Sequence, residues 1–443
     1  MSLDTGSTPL PELIDQRPVS RFQYGVITLC ALVMFIDGFD TQAISYLAPH
    51  IAKEWGLSQA VLGPIFSSAL LGLMVGYLVL SPLSDRFGHK RVLVVATASF
   101  AVFTLLAVWS GNVTELVALR FLTGVGLGAA APSAIALTGE FSPARLRATF
   151  VLVIYCGFSL GFVAAGLAVG WLLPHHGWRS LFWVGALVPL VLVPALIRYL
   201  PESPTFMIRR RYDPSRVLAV LRRVDPTLDD TWTPSAVAVE DRTTAGRAAL
   251  SSLFTRHWVW GTVLLWLVFV INLGEFYALQ SWLPSILTDL HYPMSTVVSA
   301  TTLTTVGGIV AAFLTGPSMD RLGAYGTVAC VYLAGCVFVA LTGLALGSPV
   351  WLLLTATFLS GCCVSGGQKS VIALAAVFYP AAMRSSGVGW ALGIGRLGGI
   401  AGPLVVGAAL SAGWDPRSVF YAMAVPMLVA GLVVLVLGRR YST

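Results

Sequence analysis

The sequence predicts an all-α membrane protein: twelve transmembrane helices arranged as two pseudo-symmetric six-helix bundles. Three observations predict it, namely the composition, the length of the apolar runs and an internal repeat. Of 443 residues, 56% are hydrophobic and 11% charged, against roughly 25% charged in an ordinary soluble domain. The apolar residues gather in runs of about twenty or more, enough at ~1.5 Å per residue to cross about 30 Å of hydrocarbon. Short anchors also recur at nearly constant spacing along the chain.

The runs cover 24–50, 59–82, 90–110, 115–139, 149–173, 178–199, 257–288, 296–317, 324–346, 350–379, 385–412 and 418–438. A polar tail, 1–23, precedes the first. That run carries two aspartates and no small-residue cleavage site, so it does not read as a removable signal peptide. The expected organisation is an N-terminal bundle at 24–200, a linker at 201–256, a C-terminal bundle at 257–438 and a tail at 439–443. All six cysteines (Cys30, Cys156, Cys330, Cys336, Cys362, Cys363) fall in apolar runs. None has the spacing of a zinc site or a disulfide framework, and they read as packing residues.

The net charge of +7 follows membrane topology rather than nucleic-acid binding. With both termini on one side, Lys53, Arg179 and Arg417 lie opposite, Arg120, Lys369 and Arg396 lie within helices, and the remaining 21 of 27 Lys and Arg lie on the side of the termini. The positive-inside rule then puts both termini and the linker in the cytoplasm. Within the linker, MIRRRYDPSRVLAVLRRV (207–224) mixes Arg with Leu and Val at helical spacing, as short helices lying under a membrane do; a disordered charged tether is the alternative.

After the second run comes SPLSDRFGHKR (81–91), and after the eighth GPSMDRLGAYG (316–326), so Asp85-Arg86-x-Gly88 returns as Asp320-Arg321-x-Gly323 at an offset of 235. FSPARLR (141–147) returns as FYPAAMR (378–384) at 237. Two anchors with nearly equal offsets mark a duplicated six-helix unit, an arrangement typical of transporters. At helix ends, Asp and Arg form charge-assisted bonds to neighbouring termini, and Gly permits the turn. The predicted conformational latch comprises Asp85, Arg86, Lys90, Arg91, Glu140, Arg147, Asp320, Arg321 and Arg384, with Glu140 pairing to Arg145 or Arg147. Purely topogenic charges are the alternative.

This pattern resembles the major facilitator superfamily, whose loop signature G-x-L-x-D-R-x-G-R-[KR] follows the second helix. Ser81 here replaces the leading Gly, and His89 the first basic residue. RFLTGVGLGAAAP (120–132) and LPESP (200–204) are similar to its fourth-helix motif and to the motif after the sixth. Within the superfamily, DGFDTQAISYLAP (37–49) resembles the first helix of aromatic acid:proton symporters, the permeases for 4-hydroxybenzoate, protocatechuate, benzoate and relatives. YALQSWLPSIL (277–287) and GVGWALGIGRLGGIAGP (387–403) extend the likeness over the whole chain. The resemblance implies the major facilitator fold, with helices one, four, seven and ten around a central cavity.

Six ionisable residues fall well inside the spans: Asp37, Asp40, Arg120, Glu275, Lys369 and Arg396. Each costs roughly 2.5–3.5 kcal/mol at a helix centre, so function is to be sought there. Asp37 and Asp40 share a helix face with Thr41 and Ile44, about 20 Å into the first span. Two carboxylates so close in a low dielectric do not both ionise easily, which suits proton uptake and release; a static ion pair is the alternative. Arg120, ahead of Gly124 and Gly128, is the natural partner of an aspartate, and Glu275 either partners a cation or carries a proton.

Arg396, among glycines, suits two parallel bonds to a carboxylate. Lys369 follows Gly366, Gly367 and Gln368, where the tenth helix is expected to loosen; it contacts a ligand or snorkels towards the cytoplasm. Phe39, Tyr46, Tyr155, Phe158, Phe276, Tyr277, Trp282 and Trp390 supply rings for a benzenoid ligand. The binding set expected is Arg396, Lys369, Gln368, Tyr155, Phe276, Trp282 and Trp390. The coupling set is Asp37, Asp40, Arg120 and Glu275.

On this reading, and through the resemblance, the chain takes up a small aromatic carboxylate with protons by alternating access in a bacterial inner membrane. Its partners are the carboxylate, protons and membrane lipid, with no metal, organic cofactor or nucleic acid implied. One proton per monoanion would be electroneutral. A sugar permease is the nearest rival, but INLGEFYALQSWLP (271–284) lacks that family's glutamine pair. GFSLGFVAAG (157–166) lacks the proline of drug exporters. The linker is too short and polar for the signalling domain of a membrane sensor. Neither a H-E-x-x-H motif nor a Ser-His pair at membrane depth points to an enzyme.

Overall fold

The computed structural model describes residues 14–15, 17–80, 83–228, 253–255, 258–379 and 384–441. Its membrane helices are α1 (Arg21–Trp55), α2 (Gln59–Val75), α3 (His89–Ala107), α4 (Val113–Glu140), α5 (Ala144–His176), α6 (Arg179–Tyr199), α7 (Val259–Asp289), α8 (Met294–Leu322), α9 (Ala324–Ala345), α10 (Val350–Phe378), α11 (Arg384–Ser411) and α12 (Pro416–Tyr441). Eleven are long and apolar enough to cross a membrane, and α2 is the shorter twelfth. A π-helical turn, Gly76–Leu80, extends α2 and makes up the length that the apolar run 59–82 requires.

By packing, the chain divides into two compact units: Met1–Asp40, Leu71–Gly161 and Arg179–Asp241 in the first, and Thr41–Leu70, Phe162–Trp178 and Arg242–Thr443 in the second. The division runs through α1, α2 and α5. It therefore differs in kind from the repeat, whose midpoint is the linker.

In the first unit α3 packs against α4 and α6, and Phe100, Leu127, Leu137, Phe141 and Leu196 belong to one buried core. Lipid gives apolar helices no hydrophobic reason to associate, so close backbone packing over small residues must supply the attraction. A Cβ at Gly72 would strike the Phe121 carbonyl, and one at Gly161 the Phe35 carbonyl. Backbone thus meets backbone where α2 crosses α4 and where α1 crosses α5.

The second unit repeats both crossings. A Cβ at Gly307 would strike the Phe358 carbonyl, joining α8 to α10, and one at Gly398 the Val270 carbonyl, joining α7 to α11. Gly72 and Phe121 map to Gly307 and Phe358 at offsets of 235 and 237; Phe35 and Gly161 map to Val270 and Gly398 at the same two. The duplication read from loop anchors is therefore also a duplication of contacts. Gly88 (φ +100°) and Gly323 (φ +89°), each just before its helix, repeat the turn as well, in a conformation that only glycine adopts without strain.

In the linker, helix Pro204–Arg209 is capped by Ser203 and helix Pro214–Val224 by Asp213, whose carboxylate accepts from the Ser215 N–H. That acceptance holds the Asp213 carboxyl below the usual carboxylate range. Val217, Leu218 and Leu221 bury one helix face against Ile14 and Met207, and Arg17 pairs with Asp225 at 3.0 Å. The amphipathic helices expected in 207–224 are present; the stretch 229–252 lies outside the described residues. Cys30 and Cys363 are buried as packing residues, whereas Cys156 and Cys330 stand on exposed helix faces, which corrects the packing expectation for those two.

Candidate functional site

In the first unit, the Arg120 Nη1 on α4 donates to both oxygens of Asp40 on α1 at 2.7 Å. The side chains are 1% and 4% exposed. The glycine crossing explains this aim. Gly38 sits against the Phe158 carbonyl of α5, and Asp40, two residues on, lies about 200° round the helix, facing away from α5. Asp37, one turn earlier, is also buried. A pair this deep must be made with good geometry, because either charge alone would face a desolvation penalty of several kcal/mol. Within one unit, a carboxylate is held that a proton can neutralise, beside a cation that such a proton would release.

In the second unit, Arg396 on α11 donates from Nη1 to the Tyr277 hydroxyl on α7 at 2.9 Å. The Tyr277 ring is buried and seated over Gly399, where a Cβ would come within 2.8 Å of it. Glycine at 399 therefore makes room for the ring that holds the guanidinium. Phe276 lies edge-on to Tyr277 at 5.1 Å and tilted against Phe162 at 6.1 Å.

Four successive carbonyls of α10 take side-chain donors. Asn272 donates to Val364 at 3.2 Å, Lys369 to Ser365 at 3.4 Å, Ser370 to Gly366 at 3.0 Å and Tyr332 to Gly367 at 3.4 Å. Lys369 also reaches the Gly308 carbonyl of α8 at 3.4 Å. The expected loosening is not seen, since α10 runs unbroken from Val350 to Phe378; an i to i−4 carbonyl accepts a second, side-chain bond without giving up its helical one. Gln368 beside it is half-buried. Glu275 is 5% exposed, and its Oε2 has no hydrogen-bond partner among the described residues.

The remaining ring candidates each have a setting of their own. Trp282 is buried, its indole N–H donating to the Pro403 carbonyl at 2.9 Å and its ring edge-on to Phe66 at 5.2 Å. Trp390 is 43% exposed and stacked on Trp266 at 6.2 Å. Tyr155 is 38% exposed on α5.

At the linker ends of the first unit's helices, Glu140 accepts from the Ser203 hydroxyl; the Arg145 and Arg147 side chains expected beside it lie outside the described residues, as do those of Asp85, Asp320 and Arg384. Glu202, which the sequence reading missed, is the hub. Its carboxylate accepts from the Lys90 N–H at 3.1 Å and the Ser203 N–H at 3.0 Å, and a Cβ at Gly88 would collide with it. Lys90 reaches the Ile197 carbonyl at 2.9 Å, and Arg210 the Arg86 carbonyl at 3.0 Å. Arg91 and Arg321 are exposed. The available signal was the acidic residue of LPESP directly after α6. Tyr277 was noted only as a ring; its adjacency to Arg396 is not written in either helix alone.

Residues 30–338 and 265–443 match the Major Facilitator Superfamily. The chain is 39% identical over 425 residues to the 4-hydroxybenzoate transporter PcaK of Pseudomonas aeruginosa, spanning 96% of this chain and 94% of that protein. It is 36% identical to the gallate transporter of Pseudomonas putida over 96% and 94% of the two chains. The inward open structure of the xylose transporter XylE from E. coli shares the fold, with TM-score 0.71 at 17% identity, covering 93% of this chain and 95% of that one. With duplicated six-helix units, charges buried at mid-span and relatives matched nearly end to end, the chain is a multi-pass membrane transporter that belongs to the Major Facilitator Superfamily, within its aromatic acid:proton symporter family.

Proposed function

We propose that this transporter takes up a small benzenoid carboxylate, of the hydroxybenzoate type, together with protons, by alternating access. Its setting is a bacterial inner membrane, with both termini and the linker in the cytoplasm. The observation that carries the reading is the different setting of two arginines within the spans, Arg120 buried and Arg396 half-buried. Arg120 is engaged by Asp40, whereas Arg396 donates from Nη1 to the Tyr277 hydroxyl, a bond that orients the planar guanidinium. That is what capture of a carboxylate requires. Relatives that transport 4-hydroxybenzoate and gallate supply the ring to which that carboxylate belongs.

In this scheme Arg396 grips the carboxylate, with Lys369 and Gln368 as further polar contacts and Phe276, Trp282, Tyr155 and Trp390 as candidate ring contacts. A proton taken up at Asp37 or Asp40 releases Arg120, and that change of pairing lets the loaded carrier change state. Glu275 is a further coupling group. The contacts of Glu202, Lys90, Arg86 and Glu140 act as the latch, with Arg91, Arg147, Asp85, Asp320, Arg321 and Arg384 as its further members. Protons are the only coupling species required.

The test is uptake of radiolabelled hydroxybenzoates, benzoate, dicarboxylates and sugars into proteoliposomes, with and without an imposed pH gradient. Gradient-driven accumulation of the aromatic acids alone is expected. Asp37→Asn and Asp40→Asn should abolish accumulation yet leave exchange of internal for external substrate. Full accumulation in both variants would remove the aspartates from the coupling scheme, and uptake of sugars in place of acids would overturn the substrate assignment.

A further inference from the structure

The repeat assigns each buried charge of one half a counterpart in the other. Where α1 maps onto α7, the shared crossing of Phe35 and Val270 fixes an offset of 235, so Asp37 corresponds to Asn272 and Asp40 to Glu275. Where α4 maps onto α10, Phe121 and Phe358 fix an offset of 237, so Arg120 corresponds to Thr357. The carboxyl is kept in both halves; the cation is not. Thr357 is fully buried and donates its hydroxyl to the Leu354 carbonyl of its own helix at 3.0 Å.

Glu275 therefore occupies the place of a charge pair from which the cation is missing. It is buried, and its Oε2 has no hydrogen-bond partner among the described residues. Neither the ion pair of Arg17 with Asp225 nor that of Arg120 with Asp40 involves Glu275. The cations within the second unit's spans are directed elsewhere, Arg396 to the Tyr277 hydroxyl and Lys369 to the Gly308 and Ser365 carbonyls. A buried carboxylate without a cation faces several kcal/mol of desolvation, and such groups are found neutral instead.

We infer that Glu275 is a second proton-binding site, at which a bound proton fills the role that Arg120 fills beside Asp40. The inference deepens the proton-coupled reading above and rests on it. One proton is taken up on Asp40, releasing Arg120, and one on Glu275; both are acquired on the outer side and given up on the inner side, with only O–H bonds formed and broken. Two protons with one carboxylate monoanion carry a net charge of +1 per turnover, so transport is electrogenic rather than electroneutral.

The experiment is uptake of labelled 4-hydroxybenzoate by the full-length protein in proteoliposomes at equal pH on both sides, with an inside-negative potassium diffusion potential. Wild type should accumulate substrate about tenfold, equivalent for one net charge to about 60 mV. Glu275→Gln should lose the response to potential while keeping uptake driven by a pH gradient, and Glu275→Asp should retain both. A wild type indifferent to potential, a Gln variant that still responds, or an Asp variant that does not would each overturn the proposal. Infrared spectra decide independently of transport: the carbonyl band of a protonated carboxyl should be present in wild type and missing from Glu275→Gln, and an unchanged band refutes the site. Failure of wild type to take up hydroxybenzoate under any gradient would instead sink the substrate reading, leaving the infrared result to judge Glu275.

Discussion

Replacing Arg120 by Met tests whether the deep pair on α1 and α4 is a true charge pair. Both side chains are almost fully buried, and both Asp40 oxygens accept from Nη1 at 2.7 Å. Removing the cation keeps most of the side-chain volume but leaves a carboxylate in a dry site, a loss of about 3–5 kcal/mol. At roughly 2–4 °C per kcal/mol for a packing unit of this size, the thermal midpoint should fall by roughly 6–20 °C. Asp40→Asn leaves the guanidinium stranded and should fall comparably. The double variant removes both charges together and should recover most of the loss, since a buried pair exchanged for neutral groups is often nearly neutral in stability. Unfolding of the purified protein followed by tryptophan fluorescence gives the four midpoints of the cycle. Single variants within about 0.5 kcal/mol of wild type, or losses that simply add, would refute the reasoning.

Three further outcomes follow from the same geometry. Gly398→Ala should lower stability by about 1–3 kcal/mol, because its Cβ meets the Val270 backbone, which cannot swing aside as a side chain would; Gly389→Ala, in open space, is the matched control, and equal midpoints would refute the crossing. Gly88→Ala should be more damaging than Gly323→Ala. Both turns have positive φ, worth about 1 kcal/mol or more, but only Gly88 also lies against the Glu202 carboxylate, and equal losses would show that this contact carries nothing. Tyr277→Phe removes the hydroxyl that holds Arg396 and should raise the KM for hydroxybenzoate about two- to tenfold, the worth of one hydrogen bond of about 0.5–1.5 kcal/mol, with kcat nearly unchanged; an unaltered KM would detach Tyr277 from binding.

Much of this architecture is legible in the sequence because lipid enforces a simple rule. Every backbone group in hydrocarbon must be bonded within its own helix, so apolar length alone marks the spans, and the run 350–379 becomes α10 at Val350–Phe378. The pairing of an aspartate with Arg120 was legible too, since a charge so deep demands an opposite one. What periodicity does not carry is which neutral group meets a charge across helices. Tyr277 for Arg396 and Ser203 for Glu140 depend on side-chain reach between segments 119 and 63 residues apart. Glu202 was missed for a related reason: its hydrogen bonds come from backbone N–H groups, beside a glycine, and backbone donors leave no mark in residue spacing.

The two halves show which parts of a helix pair are held by shape and which by chemistry. At the crossings the same small residue recurs, Gly72 with Gly307 and Gly161 with Gly398, because any side chain there forces two backbones apart and no neighbouring atom can yield. At the positions of Asp37, Asp40 and Arg120, the second half instead carries Asn272, Glu275 and Thr357, and the helices still pack alike. Packing thus constrains volume at those sites but not charge, provided that each buried ionisable group is neutralised in some way. One half meets that condition internally, with a cation. The other carries Glu275 at the place of Asp40 but Thr357 at the place of Arg120, so there the condition falls to a proton, as inferred above. In the function proposed above, the tight pair in the first unit and the guanidinium of Arg396 in the second are then complementary devices: one responds to a proton, the other to an anion.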